Sequence, residues 1–217
     1  MNTPRHDIYA FIHKGLRAFM AHTLLHAGRV DAGDPADVAE LREQCDALLD
    51  ICASHLHHEN EVIHTAIEAR SPGASGRIAD EHVEHQEAIA RLRALLHLIP
   101  GDADAARQLY VELAAFVAHN YEHMAYEEGA HNAALWATHS DDEIRSLEHR
   151  IVSSHPPEKM QVALRWMLPH MNPAERAQML GGMRAGAPRE AFEGVLALVR
   201  PLLGGRDWRK LADALAL

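Results

Sequence analysis

The sequence predicts an all-α protein, and three observations support this prediction. Apolar residues recur with the spacing of amphipathic helices over most of the 217 residues. Sustained alternation of apolar and polar residues, which is typical of strands, is nearly absent. Apolar residues make up 47% of the chain and charged residues 24%, which is ordinary for a globular protein with a packed core. The one abnormal feature of the composition is the count of 18 histidines.

The charge and the apolar pattern exclude several classes of partner and place the protein in the cytoplasm. A formal net charge of −10 and the lack of any basic run argue against nucleic acid, whose phosphates are bound by Lys and Arg. No run of about 20 apolar residues predicts a membrane span, and the N-terminal stretch MNTPRHDIYAFIHKG contains no signal-peptide segment. Cys45 and Cys52 fall on one predicted helix, roughly 10 Å apart, which is too far for a disulfide. Free thiols are typical of a reducing compartment.

Four long helices are predicted, and turn-forming residues separate them. Gly28 ends the first helix, and Asp34 followed by Pro35 is a typical start for the second. Beyond the fourth helix, prolines and glycine pairs divide the chain into four or five short helices, which either pack on the others or form a subdomain. We therefore predict one domain over residues 1–138 and a helical C-terminal extension over 139–217. The four predicted helices cover about residues 5–27, 35–70, 77–98 and 103–138.

A buried apolar stripe in the second and fourth helices is interrupted by residues that bind metals. His55 and Glu59 interrupt it in the second helix, and His123 and Glu127 do so in the fourth, 68 positions later. Because residues four apart lie on the same face of a helix, each pair faces the predicted core. The two stripes are Leu41, Cys45, Leu48, Cys52, His55, Glu59, Val62 and Ala66, and Leu109, Leu113, Phe116, Asn120, His123, Glu127, Ala130 and Ala134.

The first and third helices repeat the same arrangement. His13 lies on the apolar face of the first helix, and His82 and His85 lie on that of the third. His13 and His82 are 69 positions apart, close to the spacing of the other pair, so the chain resembles a duplicated helical hairpin. The two copies differ where Leu16 in the first helix corresponds to His85 in the third.

These converging polar groups predict a metal site inside a helical bundle. Burying a carboxylate is unfavourable unless a partner compensates its charge. A divalent metal ion does so, with neutral imidazoles and ionised carboxylates as its ligands, and bundle interiors are places where such sites are built. A mixed nitrogen and oxygen set of this size suits two first-row metal ions better than one, and it lacks the thiolates of a structural zinc site. We expect iron, with manganese or zinc as alternatives.

The sequence resembles the hemerythrin-like, or HHE cation-binding, family in one segment of each helix: IHKGLR, HLHHENEVIHTAIEAR, DEHVEHQEAIARL and HMAYEEGAHNAAL. The resemblance covers about residues 5–138. It implies an up-down-up-down four-helix bundle around a non-haem di-iron centre, in which carboxylates and an oxo or hydroxo group bridge two irons and an open position takes O₂. Residues 139–217 resemble the C-terminal extension of a bacterial subgroup of hemerythrin-domain proteins.

The resemblance also implies a ligand set, with two departures from the oxygen-carrying members. Those members place two histidines of the third helix four positions apart, whereas His82 and His85 are three apart. They also end the fourth-helix motif in an aspartate five positions after its histidine, whereas Glu127 comes four after His123. These departures resemble the broader HHE group, whose members sense, store or handle metal and oxygen. The implied ligands are His13, His55, His82, His85 and His123, with Glu59 and Glu127 as bridging carboxylates.

Other polar residues lie beside the stripes, and we expect them around the metal or at the surface. His58 and Glu128 are the best candidates among them for an additional ligand. Cys52, one turn before His55, is expected to be a small buried apolar residue, with a redox-sensing thiol as the alternative. The full set beside the stripes is His57, His58, Glu61, His64, Glu128 and His131.

The predicted function is that of a non-haem di-iron, cation-binding protein that senses or handles O₂, NO, redox state or iron. A ferritin-like di-iron oxidase is excluded because the first helix contains no glutamate. The alternative is a metal-dependent oxidoreductase or transferase, mononuclear or di-iron, although no catalytic motif points to an enzyme. The methionine-rich stretch 160–183 either packs on its own domain or binds a protein partner.

Overall fold

The computed structural model describes residues 5–217. Over this range the chain folds into helices without any strand, so the predicted all-α class is confirmed. No helix in this range is long and apolar enough to cross a membrane. Residues 1–4 lie outside the described residues. The start of the predicted 1–138 domain, and the start of the stretch in which no signal peptide was expected, therefore lie outside them too.

The four long predicted helices are present. Asp34 and Asp102 cap the second and fourth helices, because their side chains accept hydrogen bonds from backbone N–H groups of the first turn. The backbone hydrogen-bonding pattern of the second and fourth helices changes along their length, since each contains a π-helical segment between two α-helical ones. The helices are α1 (Ala10–Ala27), α2 (Pro35–His58, π-helical Glu59–His64, and Thr65–Arg70), α3 (Gly76–Leu96) and α4 (Ala103–Tyr126, π-helical Glu127–His131, and Asn132–Thr138).

Five shorter helices follow, which agrees with the expected four or five. They are α5 (Asp141–Ser154), α6 (Pro157–His170), α7 (Pro173–Gly186), α8 (Arg189–Val199, continued by a 3-10 turn over Arg200–Leu202) and α9 (Gly205–Leu215).

The chain forms two compact units. The first contains the chain up to Ala10 together with Phe19–Ser154, and the second contains Phe11–Ala18 and His155–Leu217. Helix α5 belongs to the first unit, where Ile144 and Leu147 pack in the same apolar cluster as residues of α2 and α4. The first unit therefore continues past residue 138, and the domain boundary drawn there stays a prediction.

The core of the first unit has an apolar layer on either side of the polar stripe positions. On one side, the stripe residues that precede the histidines are buried, as predicted. On the other side, residues of the N-terminal segment, α2, α4 and α5 form a second apolar cluster. The first layer includes Leu41, Cys45, Leu48, Cys52, Leu92, Leu96, Leu109, Leu113 and Phe116, and the second includes Ile8, Tyr9, Ile63, Ile67, Leu135, Ile144 and Leu147.

The second unit has a core of its own. Met167 and Met171 of the methionine-rich stretch are buried there, as the packing alternative predicts. Lys14 donates hydrogen bonds to both carboxylate oxygens of Glu175, at 2.5 and 2.6 Å, within this unit. Its buried core residues are Leu164, Met167, Leu168, Met171, Leu180, Phe192, Val199, Leu203, Leu211 and Leu215.

Both cysteines are buried free thiols. Burial raises the pKa of Cys45 and that of Cys52 to about 12. Because the thiolate is the reactive form, both side chains are chemically inert at neutral pH. The structure therefore favours the packing role of Cys52 over the redox-sensing alternative.

Replacing Glu68 by glutamine should lower the thermal midpoint of unfolding at pH 7. The Glu68 carboxylate accepts hydrogen bonds from the Gly73 and Ser75 N–H groups and from the Ser75 hydroxyl, at 2.6, 2.9 and 2.7 Å. These bonds hold the turn between α2 and α3, where Gly73 has a left-handed φ of 85°. They hold the pKa of Glu68 at about 2, below its ordinary 4.5.

Because the folded pKa is depressed, this stabilisation is complete above pH 4.5 and is lost as the pH falls towards 2. The difference in thermal midpoint between wild type and Glu68→Gln should therefore shrink below about pH 4.5, measured by circular dichroism. Glu84→Gln, on an exposed position of α3, is the matched control and should change nothing. A pH-independent difference would contradict the argument.

Candidate metal centre

The π-helical segments of α2 and α4 begin at the two predicted bridging glutamates. A π-helical turn contains more residues than an α-helical one and is often found at functional sites. It therefore shifts the buried face by one position relative to the predicted stripe. Past Glu127, His131 and Leu135 are fully buried, whereas the predicted Ala130 and Ala134 are only partly buried.

Four of the predicted ligands converge within the first unit. One ligand atom from each of Glu59, His82, His123 and Glu127 lies within 4.8 Å of all the others. His55, Glu59 and Glu127 form another set within the same limit. Both glutamates belong to both sets, so the donor groups overlap at the carboxylates.

Each glutamate directs its two oxygens at different histidines. Glu59 lies with Oε1 at 3.1 Å from Nε2 of His55 and with Oε2 at 3.4 Å from Nε2 of His82. Glu127 lies with Oε2 at 3.4 Å from Nε2 of His123 and with Oε1 at 4.0 Å from Nε2 of His82. Glu59 thus lies between histidines of the two donor groups, whereas the oxygens of Glu127 face two histidines of one group, although Glu127 belongs to both.

Outer hydrogen bonds orient the rings of His82 and His123. Nδ1 of His82 lies 2.8 Å from Oδ1 of Asn60, and Nδ1 of His123 lies 2.9 Å from Oε2 of Glu81. These oxygens accept, so Nδ1 carries the proton in both neutral rings, and each Nε2 presents a lone pair to the centre. The two Nε2 atoms are 3.2 Å apart. Two lone pairs at this distance repel each other unless a cation or a proton lies between them.

The Glu81 carboxylate is kept ionised for this role. Burial raises the pKa of Glu81, but hydrogen bonds from Arg77 and His123 outweigh this effect and hold the pKa below its ordinary value. Arg77 donates to Oε1 of Glu81 at 2.8 Å. Carboxylates behind metal-binding histidines fix the ring orientation and raise the basicity of the ligand nitrogen.

The electrostatics of the centre favour a bound cation. Burial raises the pKa of Glu127 well above its ordinary value, and the neighbouring charge of Glu59 raises it further. Burial also lowers the pKa of His123. Without a cation, the centre therefore favours a neutral His123 imidazole and a protonated Glu127. A bound metal ion reverses this preference for the carboxyl, because its charge is the largest in the site. The donor set thus fits metal ions chemically.

The two remaining predicted ligands are His13 and His85. His13 is fully buried on the part of α1 that belongs to the second unit. His85 is buried with its ring centroid 4.7 Å from that of His123, but none of the clustered donor groups among the described residues includes it. Burial, followed by the charge of His123, lowers the pKa of His85 to about 4.

The sequence interpretation missed two buried histidines, His64 and His131. It assigned them to positions beside the stripes, because it assumed α-helical periodicity throughout. The π-helical turns instead bring both rings inward, and with Glu127 they form a third group of potential ligand atoms within 4.8 Å. The signal that could have found them is the repetition of a histidine shortly after Glu59 and again after Glu127.

The other residues beside the stripes point elsewhere. His57 and Glu61 are exposed, so the ferritin-like pattern stays excluded. Nδ1 of His58 bonds to the Ser54 backbone oxygen at 2.6 Å, and its Nε2 lies 2.8 Å from Oγ of Ser154. Glu128 belongs to none of the donor groups found in the described chain.

A helical bundle with overlapping histidine and glutamate donor groups in its core defines the class of metal-binding bundle proteins. The family model described as "Hemerythrin HHE cation binding domain" matches residues 6–135. The chain therefore belongs to the hemerythrin HHE family, as its resemblance implied, and it is a cation-binding protein by family and by donor set. Searches of curated proteins and of solved structures found no match.

Proposed function

We propose that this chain is a non-haem di-iron protein of hemerythrin type, which senses or handles O₂, NO, redox state or iron. The observation that carries the proposal is the sharing of Glu59 and Glu127 by two donor groups. One metal ion would need only one of these groups and would leave the other group without a metal. Two ions use both groups, with the glutamates as bridges.

Both carboxylates would serve both metal ions. His55 would be a terminal ligand of one ion, and His82 and His123 would be terminal ligands of the other. His13 stays a predicted ligand of the centre. Histidines together with carboxylate are the donors of non-haem iron sites that keep open positions for O₂, and such a pair supplies reversible binding of a small diatomic ligand or exchange of electrons. His85, next to His123, stays a proposed seventh ligand.

The protein residues around the pair prepare the centre for this task. Asn60 and Glu81 orient the rings of His82 and His123 by hydrogen bonds, which would reduce the reorganisation that metal binding requires. The apolar layers on both sides limit the access of water and so strengthen electrostatic interactions inside. We place the protein in the cytoplasm, where the buried free thiols of Cys45 and Cys52 stay reduced.

The alternative is a metal-dependent oxidoreductase or transferase that uses the same centre. A mononuclear enzyme is less consistent with two shared glutamates than a metal pair is. A di-iron enzyme would differ from a sensor by continuous turnover. Stoichiometric O₂ or NO binding without sustained O₂ consumption would favour the sensing or handling role.

The test is the metal content of the full chain produced with supplementary iron. Elemental analysis should find about two irons per chain in the wild type, because two donor groups each hold one ion. The variant His55→Ala/His123→Ala should lose them, since each group loses a terminal histidine.

His149→Ala on the surface of α5 is the control and should retain the iron. His85→Ala should retain about two irons if six ligands suffice and lose iron if the seventh is required. One metal ion per chain, or zinc alone, would contradict the di-iron proposal. Circular dichroism must show that each variant keeps its helical content.

A further inference from the structure

Two buried histidines outside the proposed ligand set lie against one of its carboxylates. His64, His131 and Glu127 each offer a ligand atom within 4.8 Å of the other two. His64 is 6% exposed and His131 is fully buried. In the described part of the chain, Nε2 of neither histidine has a hydrogen-bond partner. Leaving a buried polar nitrogen without a partner is unfavourable, so something absent from the protein itself should satisfy these two atoms.

Nδ1 of His131, which lies 4.0 Å from Oε1 of Glu127, also contacts Tyr9, and this contact favours a ligand role for Nε2. Nδ1 of His131 lies 3.1 Å from the hydroxyl oxygen of Tyr9, a fully buried residue. When Nδ1–H donates to this oxygen, Nε2 of the neutral ring carries a lone pair and no proton. A partner that fixes the tautomer from behind is the arrangement found for metal-binding histidines.

Ring packing accounts for the position of the His64 side chain but not for its buried Nε2 atom. The ring is stacked on that of His82, with centroids 4.9 Å apart and an interplanar angle of 11°, and it meets His131 edge-on at 5.1 Å. A phenylalanine or leucine would fill this space without burying an unpartnered nitrogen. A histidine follows Glu59 in one half of the duplicated hairpin and Glu127 in the other. The buried Nε2 atoms of these two histidines are therefore best explained by a ligand that binds both.

We propose that His64, His131 and Glu127 form an accessory site for one divalent first-row transition-metal ion, next to the metal pair. Two imidazoles and a carboxylate suit Zn²⁺ or Fe²⁺ and disfavour Mg²⁺ and Ca²⁺, which prefer oxygen ligands. Glu127 is shared with the pair, which its carboxylate lone pairs permit. The inference goes beyond the proposed function, because it depends neither on iron nor on O₂.

The test is a titration of the metal-free full chain with Zn²⁺ against a chromogenic chelator. Wild type should bind about three Zn²⁺ per chain, two at the pair and one at the accessory site. His64→Leu and His131→Leu should each bind about two, because each removes one of three accessory ligands. His139→Leu, which changes a buried imidazole of the first unit outside every donor group in the described chain, is the matched control and should bind as many Zn²⁺ ions as the wild type.

The variant His55→Ala/His123→Ala separates this inference from the proposed function. It should keep about one Zn²⁺ per chain, since the accessory residues remain. A wild type that binds only two ions would overturn the accessory site and leave the pair intact. Equal stoichiometry in wild type and His64→Leu would also overturn it, as would loss of an ion in His139→Leu or loss of every ion in His64→Leu. No binding by the wild type would overturn both proposals.

Discussion

Replacing Glu59 and Glu127 together by glutamine should abolish metal binding and stabilise the metal-free protein. Both side chains are almost fully buried, and burial together with their mutual repulsion raises the pKa of Glu127. Glutamine keeps the shape, carries no charge and can donate an amide hydrogen to the Nε2 lone pairs of His82 or His123. Replacing buried ionic groups by well-packed uncharged residues of similar volume is often neutral or stabilises a protein by ~1–4 kcal/mol. Chemical denaturation with a chelator present should show this increase in the free energy of unfolding.

The order of stability should reverse when metal is supplied. Metal bound only to the folded wild type adds roughly 4 kcal/mol at a concentration about 1,000 times its dissociation constant, and the double glutamine variant gains none of it. Glu61→Gln/Glu128→Gln, which changes the glutamates beside the stripes, is the matched control and should bind metal as the wild type does. A metal-free variant that is less stable than the metal-free wild type would show that the carboxylates contribute to the fold itself. That result would contradict the expectation that the two buried carboxylates destabilise the metal-free protein.

The helices and most of the centre could be predicted from local pattern. The periodicity of Leu41, Cys45, Leu48 and Cys52 fixes which face of α2 is buried, and the stripe extends to His55 and Glu59 without a break. The start of α2 followed from an equally local signal, Asp34 before Pro35, and the Asp34 side chain does cap a backbone N–H group of the first turn. These features depend on residues a few positions apart, which is why one sequence suffices to find them.

The parts that could not be predicted depend on contacts between distant residues or on a change of helical register. A π-helical turn has no distinct apolar periodicity, so the inward positions of His64 and His131 did not follow from the pattern. The partners of His82 and His123 come from neighbouring helices, and Asn60 and Glu81 show no local sign of this role. Residues that orient ligands from a neighbouring helix therefore do not show up in the apolar periodicity of their own helix.

Replacing Arg176 by methionine should strongly destabilise the second unit. Arg176 is 2% exposed. Its Nε donates to the backbone oxygen of Leu168 at 2.8 Å, and its Nη2 donates to that of Met171 at 2.8 Å. These oxygens lie at the end of α6 and in the turn to α7, where carbonyl groups lack intrahelical partners. Methionine fills a similar volume but donates nothing, so the free energy of unfolding should fall by ~3 kcal/mol or more, measured by denaturant titration.

The guanidinium group, and not the positive charge alone, should account for this effect. Lysine presents one compact ammonium group and lacks the planar fork that reaches two carbonyl oxygens at once. Arg176→Lys should therefore recover only a minor part of the lost stability. Arg206→Met, at an exposed position of α9, is the matched control and should stay within ~0.5 kcal/mol of the wild type. Full recovery by lysine would show that charge rather than geometry holds the α6–α7 turn. A negligible effect of Arg176→Met would show that these carbonyl oxygens find other donors, because a buried carbonyl left unpaired would be destabilising.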